Sequence, residues 1–195
     1  MNSKQMNLDG DILDIDIFYD GQPIFRKYVS DSWGMNELSI AQKLMHSKNP
    51  HCVRIYDVVD LPKMKYIDME LLQFPIPKIK THYDQYIHDI YCGLSELHDI
   101  KVIYIDLKSD NVGYSELDNC WKIFDFDCSG ICNDTYDNWI VKPPFYYGYK
   151  NALKHYHQLE GPVMNINVDD YAFSNLLDID QISYELFQEE MNSYK

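Results

Sequence analysis

Four polar side chains, Asp106, Lys108, Asp110 and Asn111, fall within six residues of one another in the stretch YIDLKSDNVGY, and apolar runs flank them on both sides. Burying unpaired charges costs several kcal/mol each, so a segment of this polarity forms an exposed turn. The apolar flanks tie that turn to a core. A polar loop held rigidly at a core edge is where reactive groups sit, and the rest of the chain has to supply the elements that hold it.

Upstream, Ile15, Ile17 and Tyr19 alternate with Asp14, Asp16 and Phe18, and Asp20-Gly21 supplies the positive-φ dipeptide of a tight hairpin. On the second strand Phe25, Lys27 and Val29 share a face by the two-residue period, which leaves Lys27 either snorkelling or engaged. Leu38, Ala41 and Met45 then repeat at helical spacing, with Pro50 as the stop, and Glu37 on the adjoining stripe leans toward whatever the helix packs on. HCVRIYDVVD and MKYIDMELL read as two further strands, and Pro75 and Pro77 mark a linker.

Beyond the linker, Thr81 and Asp84 form a capping-box-like start to a long helix. Its expected buried face runs through Tyr83, Tyr86, Ile87, Ile90, Tyr91, Leu94 and Leu97. VIYI is a short strand entering the polar loop, and WKIFDFD is another that ends in acidic residues. The stretch from Cys128 to Met164 reads as irregular. A last helical region from about Asp169 carries Phe173, Leu176 and Leu177, and a second short helix passes through Ile182 and Leu186. No internal repeat is present.

The chain has 195 residues, 46% of them hydrophobic, enough for one large domain or two small lobes. Acidic residues outnumber basic ones 31 to 17, for a formal charge of −14. Nucleic acid and anionic membrane both call for a basic surface, so neither is an expected partner, whereas a basic protein is. Five cysteines, odd in number and without a framework spacing, indicate reduced thiols and an intracellular protein, cytoplasmic or nuclear. Cys128 and Cys132 with His155 and His157 fit no common zinc spacing, and no apolar run approaches a membrane span.

From about Ile12 to about Phe187 the order of elements resembles the protein kinase fold. YIDLKSDNVGY is similar to the kinase catalytic loop, usually HRDLKPEN, and KIFDFDCSG is similar to the magnesium-binding DFG segment. PIFRKYV resembles the strand carrying the phosphate-binding lysine. NELSIAQKLMHSKNPHCVRIYDV resembles the helix carrying that lysine's glutamate, followed by the next strand, and YIDMELL the strand that enters the hinge. The resemblance implies an α+β, bilobal architecture: a small β-rich lobe with one helix over residues 1–72, and a reduced, mainly helical lobe over 73–195.

It also implies a set of roles. Asp106 would orient a substrate hydroxyl and accept its proton, and Lys108 would neutralise charge on the moving phosphoryl group. Asn111 and Asp125 would offer oxygen ligands to magnesium. Lys27, held by Glu37, would grip the inner phosphates of ATP. The backbone around Glu70, Leu71 and Leu72 would bond the adenine, with Met69 at the gatekeeper position. Lys108 follows the serine/threonine kinase pattern. Taken singly, Lys27 and Glu37 read as a surface lysine and an ordinary helix glutamate, Asp106 and Asn111 as turn caps, and Asp125 and Asp127 as the end of a strand.

The sequence also departs from the family. No glycine-rich loop is visible near Gly10 or Gly21, and Tyr104-Ile105 replaces His-Arg, which removes the receiver for a phosphorylated activation loop. Asp127 stands in place of the DFG glycine. VKPPFYYGYKNA is only loosely similar to the APE segment, and few residues follow the helix that Asp169 would anchor. The chain thus resembles the pared-down kinases of large DNA viruses or other compact genomes. Three readings follow: an ATP- and magnesium-dependent serine/threonine protein kinase, a pseudokinase module that engages another kinase or a host protein, and a small-molecule kinase.

Overall fold

The computed structural model describes residues 4–6, 12–14, 17–30, 35–74, 82–136, 138–144, 168–170, 172–174 and 176. Strands β1 (Lys4–Met6) and β2 (Ile12–Asp14) form an antiparallel pair. Next come β3 (Phe18–Tyr19), β4 (Gln22–Tyr28), helix α1 (Met35–Met45), β5 (Ile55–Leu61) and β6 (Met64–Glu70). The four strands from β3 to β6 make one antiparallel sheet in the order β3-β4-β6-β5. The Asp20-Gly21 turn forms as expected, with φ of 49° and 78° at its two residues. Helix α1 buries Leu38, Ile40, Ala41 and Leu44 on the core side. Each large side chain buried in this way contributes about 1.5–3 kcal/mol.

Helix α2 (Tyr83–Asp99) is the spine of the second half. It starts one residue later than a Thr81 cap would set it: His82 holds the N-cap position and makes no side-chain capping bond. Its buried stripe is also narrower than expected. Tyr86, Ile90, Leu94 and Leu97 are buried, Tyr83 and Ile87 lie at the edge, and Tyr91 is 60% exposed, with its ring beside Phe173. A helix on one core needs a single apolar stripe, and Tyr91 lies outside it.

Strands β7 (Val102–Ile103), β8 (Val112–Ser115), β9 (Cys120–Ile123), β10 (Gly130–Cys132) and β11 (Trp139–Val141) complete the second half, with helical residues 168–170, 172–174 and 176 forming α3. Trp121 of β9 packs edge-on to Tyr86 and Tyr114, each 5.1 Å away between ring centroids.

The expectation of irregular chain from Cys128 to Met164 is corrected over 130–141, because β10 and β11 form a hairpin and β10 also pairs with β7, while 145–164 lie outside the described residues. Asn133 and Asn138 close its turn through Asn133 N to Asn138 O at 3.0 Å and Asn138 N to Asn133 Oδ1 at 3.2 Å. Gly130 is required there, since a Cβ would sit 2.5 Å from the Trp139 ring. The linker prolines Pro75 and Pro77, the residues around Gly10, Thr81, His155, His157, Leu177, Ile182 and Leu186 lie outside the described residues.

Backbone bonds join the two halves at two places. Val53 N donates to Ile123 O (2.8 Å) and Ile123 N to His51 O (2.9 Å), while Gln73 and Tyr114 exchange bonds of 2.9 and 2.7 Å. These bonds hold the small sheet over β8 and β9, and the cleft between them is where the polar loop emerges.

Candidate functional site

Lys27 lies near the end of β4 with its ammonium 2.8 Å from Glu37 Oε1 and 2.7 Å from Asp125 Oδ1. Three elements distant in sequence thus meet at one cation. Glu37 is fully buried on α1. Burial and the carboxylates of Asp125 and Asp127 push its pKa up against the pull of Lys27. Burial also works against the Lys27 charge, but Glu37 and Asp125 offset it and hold the lysine above its usual value.

The polar loop follows β7. Asp106 is held at both ends: Lys108 Nζ donates to its Oδ2 at 2.8 Å, and Asn111 Nδ2 donates to its backbone carbonyl at 3.0 Å and to Oδ2 at 3.2 Å. Asn111 is buried in a 3-10 turn (Ser109–Asn111), whereas Asp106 and Lys108 reach solvent. Since the Asn111 nitrogen is turned to Asp106, its amide oxygen is directed elsewhere. Burial lowers the Lys108 pKa, yet the bond to Asp106 and its charge raise it overall.

Beneath the loop, Asp169 of α3 is completely buried and accepts from Tyr104 N (2.9 Å), Ile105 N (2.7 Å) and His98 Nε2 (2.8 Å). Ile105 sits at φ 73° and Asp125 at φ 63°. A non-glycine residue in this region costs about 1–3 kcal/mol and persists only where its surroundings impose it. Here Asp169 fixes Ile105, and Lys27 fixes Asp125. Tyr104, in place of the expected histidine, buries its ring and donates its hydroxyl to the carbonyl of Phe124, which joins the loop to the residue preceding Asp125. Burial, followed by the charges of Asp125 and Asp106, pushes the Tyr104 pKa well up, so the hydroxyl stays a donor.

Asp127 adds a second carboxylate beside Asp125. Burial and the Asp125 charge raise its pKa, opposed by a bond from Cys128 and by Lys27. Among the described residues no group of three or more His, Cys, Asp or Glu side chains is placed to hold a metal ion. Magnesium asks for less, because it binds through one or two protein oxygens together with substrate phosphates and waters. The Asp125 carboxylate and the Asn111 amide oxygen are hard donors of that kind.

Of the hinge residues, Met69, Glu70 and Leu72 line an apolar cavity with Phe25 and Phe124, but the Glu70 side chain turns away from it. It accepts from Lys122 Nζ at 2.8 Å and from the Ser115 hydroxyl, and Lys122 also pairs with Asp118, which Arg54 grips at 2.9 Å. No local pattern marks this network, because the two-residue period alone would set Lys122 on the face opposite Trp121 and Ile123. Asn36 was likewise missed. Its amide donates to Ser129 O at 3.2 Å and to Lys142 O at 2.5 Å, which latches α1 to both ends of the β10–β11 hairpin.

A family model described as "Protein kinase domain" matches residues 26–148. Over 107 residues the chain is 32% identical to the SNF1-related protein kinase catalytic subunit alpha KIN12 of Arabidopsis thaliana, a match covering 50% of this chain and 21% of that protein. It is 29% identical over 106 residues to the SNF1-like protein kinase ssp2 of Schizosaccharomyces pombe, covering 50% and 18%. It is 31% identical over 103 residues to a calcium/calmodulin-dependent protein kinase kinase of Caenorhabditis elegans, covering 48% and 18%. The matches span about a fifth of the length of these curated relatives.

Proposed function

Because the chain belongs to the protein kinase family, we propose that it transfers the terminal phosphoryl group of ATP, with magnesium, to a serine or threonine hydroxyl of a protein. The observation that carries this reading is the convergence of Glu37 and Asp125 on Lys27 across the cleft from the paired Asp106 and Lys108. In this reading the boundary between lobes falls near residue 72.

Lys27 would hold the inner phosphates, and Asn111 and Asp125 would hold magnesium. The metal supplies charge neutralisation on the phosphate oxygens when bound. Asp106 orients the acceptor hydroxyl and takes its proton as the new oxygen–phosphorus bond forms and the bond to the leaving diphosphate breaks. Lys108 would offset the negative charge beside it. A basic substrate segment suits a chain of charge −14, and raised ionic strength would then weaken its capture.

The test is transfer from labelled ATP to a basic serine/threonine peptide pool, with Asp106→Asn as the control. Loss of a positioned general base lowers the rate by about 10²–10⁴-fold. Undiminished transfer by Asp106→Asn would refute the assignment of Asp106. The narrow cavity at the hinge favours a second reading, a kinase-like module that engages a protein partner without transfer. Partner capture that survives Asp125→Ala, with no transfer by the natural sequence, would favour that module.

A further inference from the structure

The cavity beside the hinge is shaped by three phenylalanines. Phe25 shares a face of β4 with Lys27 and pairs in register with Met69. Phe124 immediately precedes Asp125. Phe74, four residues past the end of β6, reaches across the cleft so that its ring lies edge-on to Phe124, with 5.5 Å between centroids at 67°. These rings, with Val53, Met69 and Leu72, leave a cavity of about 120 Å³. Pockets that hold small organic molecules usually enclose about 300–1,000 Å³.

Phe74 is not there because the core needs it. Its side chain is 60% exposed, whereas Met69 and Leu72 beside it are buried. Among the described residues nothing hydrogen-bonds the backbone of Leu72, so polar groups suited to a heterocycle edge lie next to a space that the ring fills. With most of its surface already in solvent, the ring gives up little burial on turning out of the cleft.

We propose that Phe74 is a specificity-determining gate on the nucleobase subsite. Its ring, stacked against Phe124, takes the space a base would enter, so the phosphate donor is held chiefly through its phosphates until the ring moves aside. The identity of the donor rests on the phosphotransferase reading, while the ring geometry does not. A ligand that needs the open form has its apparent affinity reduced by the fraction of molecules in that form, and a ligand that ignores the pocket loses nothing.

Calorimetry on the natural sequence and on Phe74→Ala, with magnesium, using ATP, inorganic tripolyphosphate and adenosine as probes, separates the two. In the natural sequence ATP and tripolyphosphate bind within about threefold of each other, and adenosine binding is undetectable. In Phe74→Ala both ATP and adenosine tighten by about tenfold or more, while tripolyphosphate is unchanged. Adenosine gained by Phe74→Ala without tripolyphosphate binding to either protein keeps the gate and counts against the phosphate site. ATP and adenosine binding that stay the same or weaken in Phe74→Ala would overturn the gate, whatever tripolyphosphate does. Phe74→Leu, which keeps an apolar but smaller side chain, falls between the two proteins if bulk is the cause.

Discussion

The Lys27 ammonium lies 2.8 Å from a carboxylate oxygen of Glu37, a residue with almost no contact with solvent. A buried carboxylate keeps its charge only while its partner stays in place, so the pair couples the position of α1 to that of β4. Glu37→Gln keeps the shape and removes the charge. A hydrogen bond to a charged group is worth about 1.5–3 kcal/mol, so transfer, assayed as kcat/KM for ATP, falls about 10- to 100-fold while the circular dichroism spectrum stays unchanged.

Tyr104→Phe deletes one hydroxyl and leaves the Phe124 carbonyl without that donor. The expected loss is about 1–3 kcal/mol, read as a lower urea midpoint with an unchanged slope. Because Phe124 adjoins Asp125, magnesium-dependent ATP binding weakens in the same variant.

The network behind the hinge has a pH signature. Burial raises the Asp118 pKa, but Lys122 and then Arg54 outweigh it and hold the group below its unfolded value of 3.8. Its contribution is therefore complete above that value and lost as the pH falls through the folded pKa. Lys122 is raised above 10.5, since bonds to Asp118 and Glu70 outweigh its burial, and its contribution is lost as the pH rises through the folded value. Lys122→Ala, which strands the buried Glu70 carboxylate, costs about 3–5 kcal/mol, with the deficit greatest between roughly pH 4 and pH 10. Lys122→Met combined with Glu70→Leu recovers much of that loss in urea titrations.

The parts of this fold that could be read from sequence follow local rules. Asp20-Gly21 needs only its own backbone freedom, and the α1 stripe needs only helical spacing. The proposed site loop stood out for a different reason: Asp106, Lys108 and Asn111 crowd into one short segment between apolar runs. What could not be read depends on partners far along the chain. Lys122 is buried because Glu70 and Asp118 meet it from elsewhere, Asn36 finds carbonyl partners 93 and 106 residues on, and Tyr91 is exposed because it lies off the buried stripe of α2. The β10–β11 hairpin was hidden because Gly130 makes room for a tryptophan on the opposite strand.

The most direct measurement is ATP affinity by calorimetry, with and without magnesium, on the natural sequence and on Asp125→Ala. Binding that requires magnesium and disappears in Asp125→Ala is the predicted result, because Asp125 is the carboxylate held by Lys27 across the cleft. ATP binding that ignores both the metal and the substitution, or no binding to either protein, would contradict a phosphotransferase built on these residues.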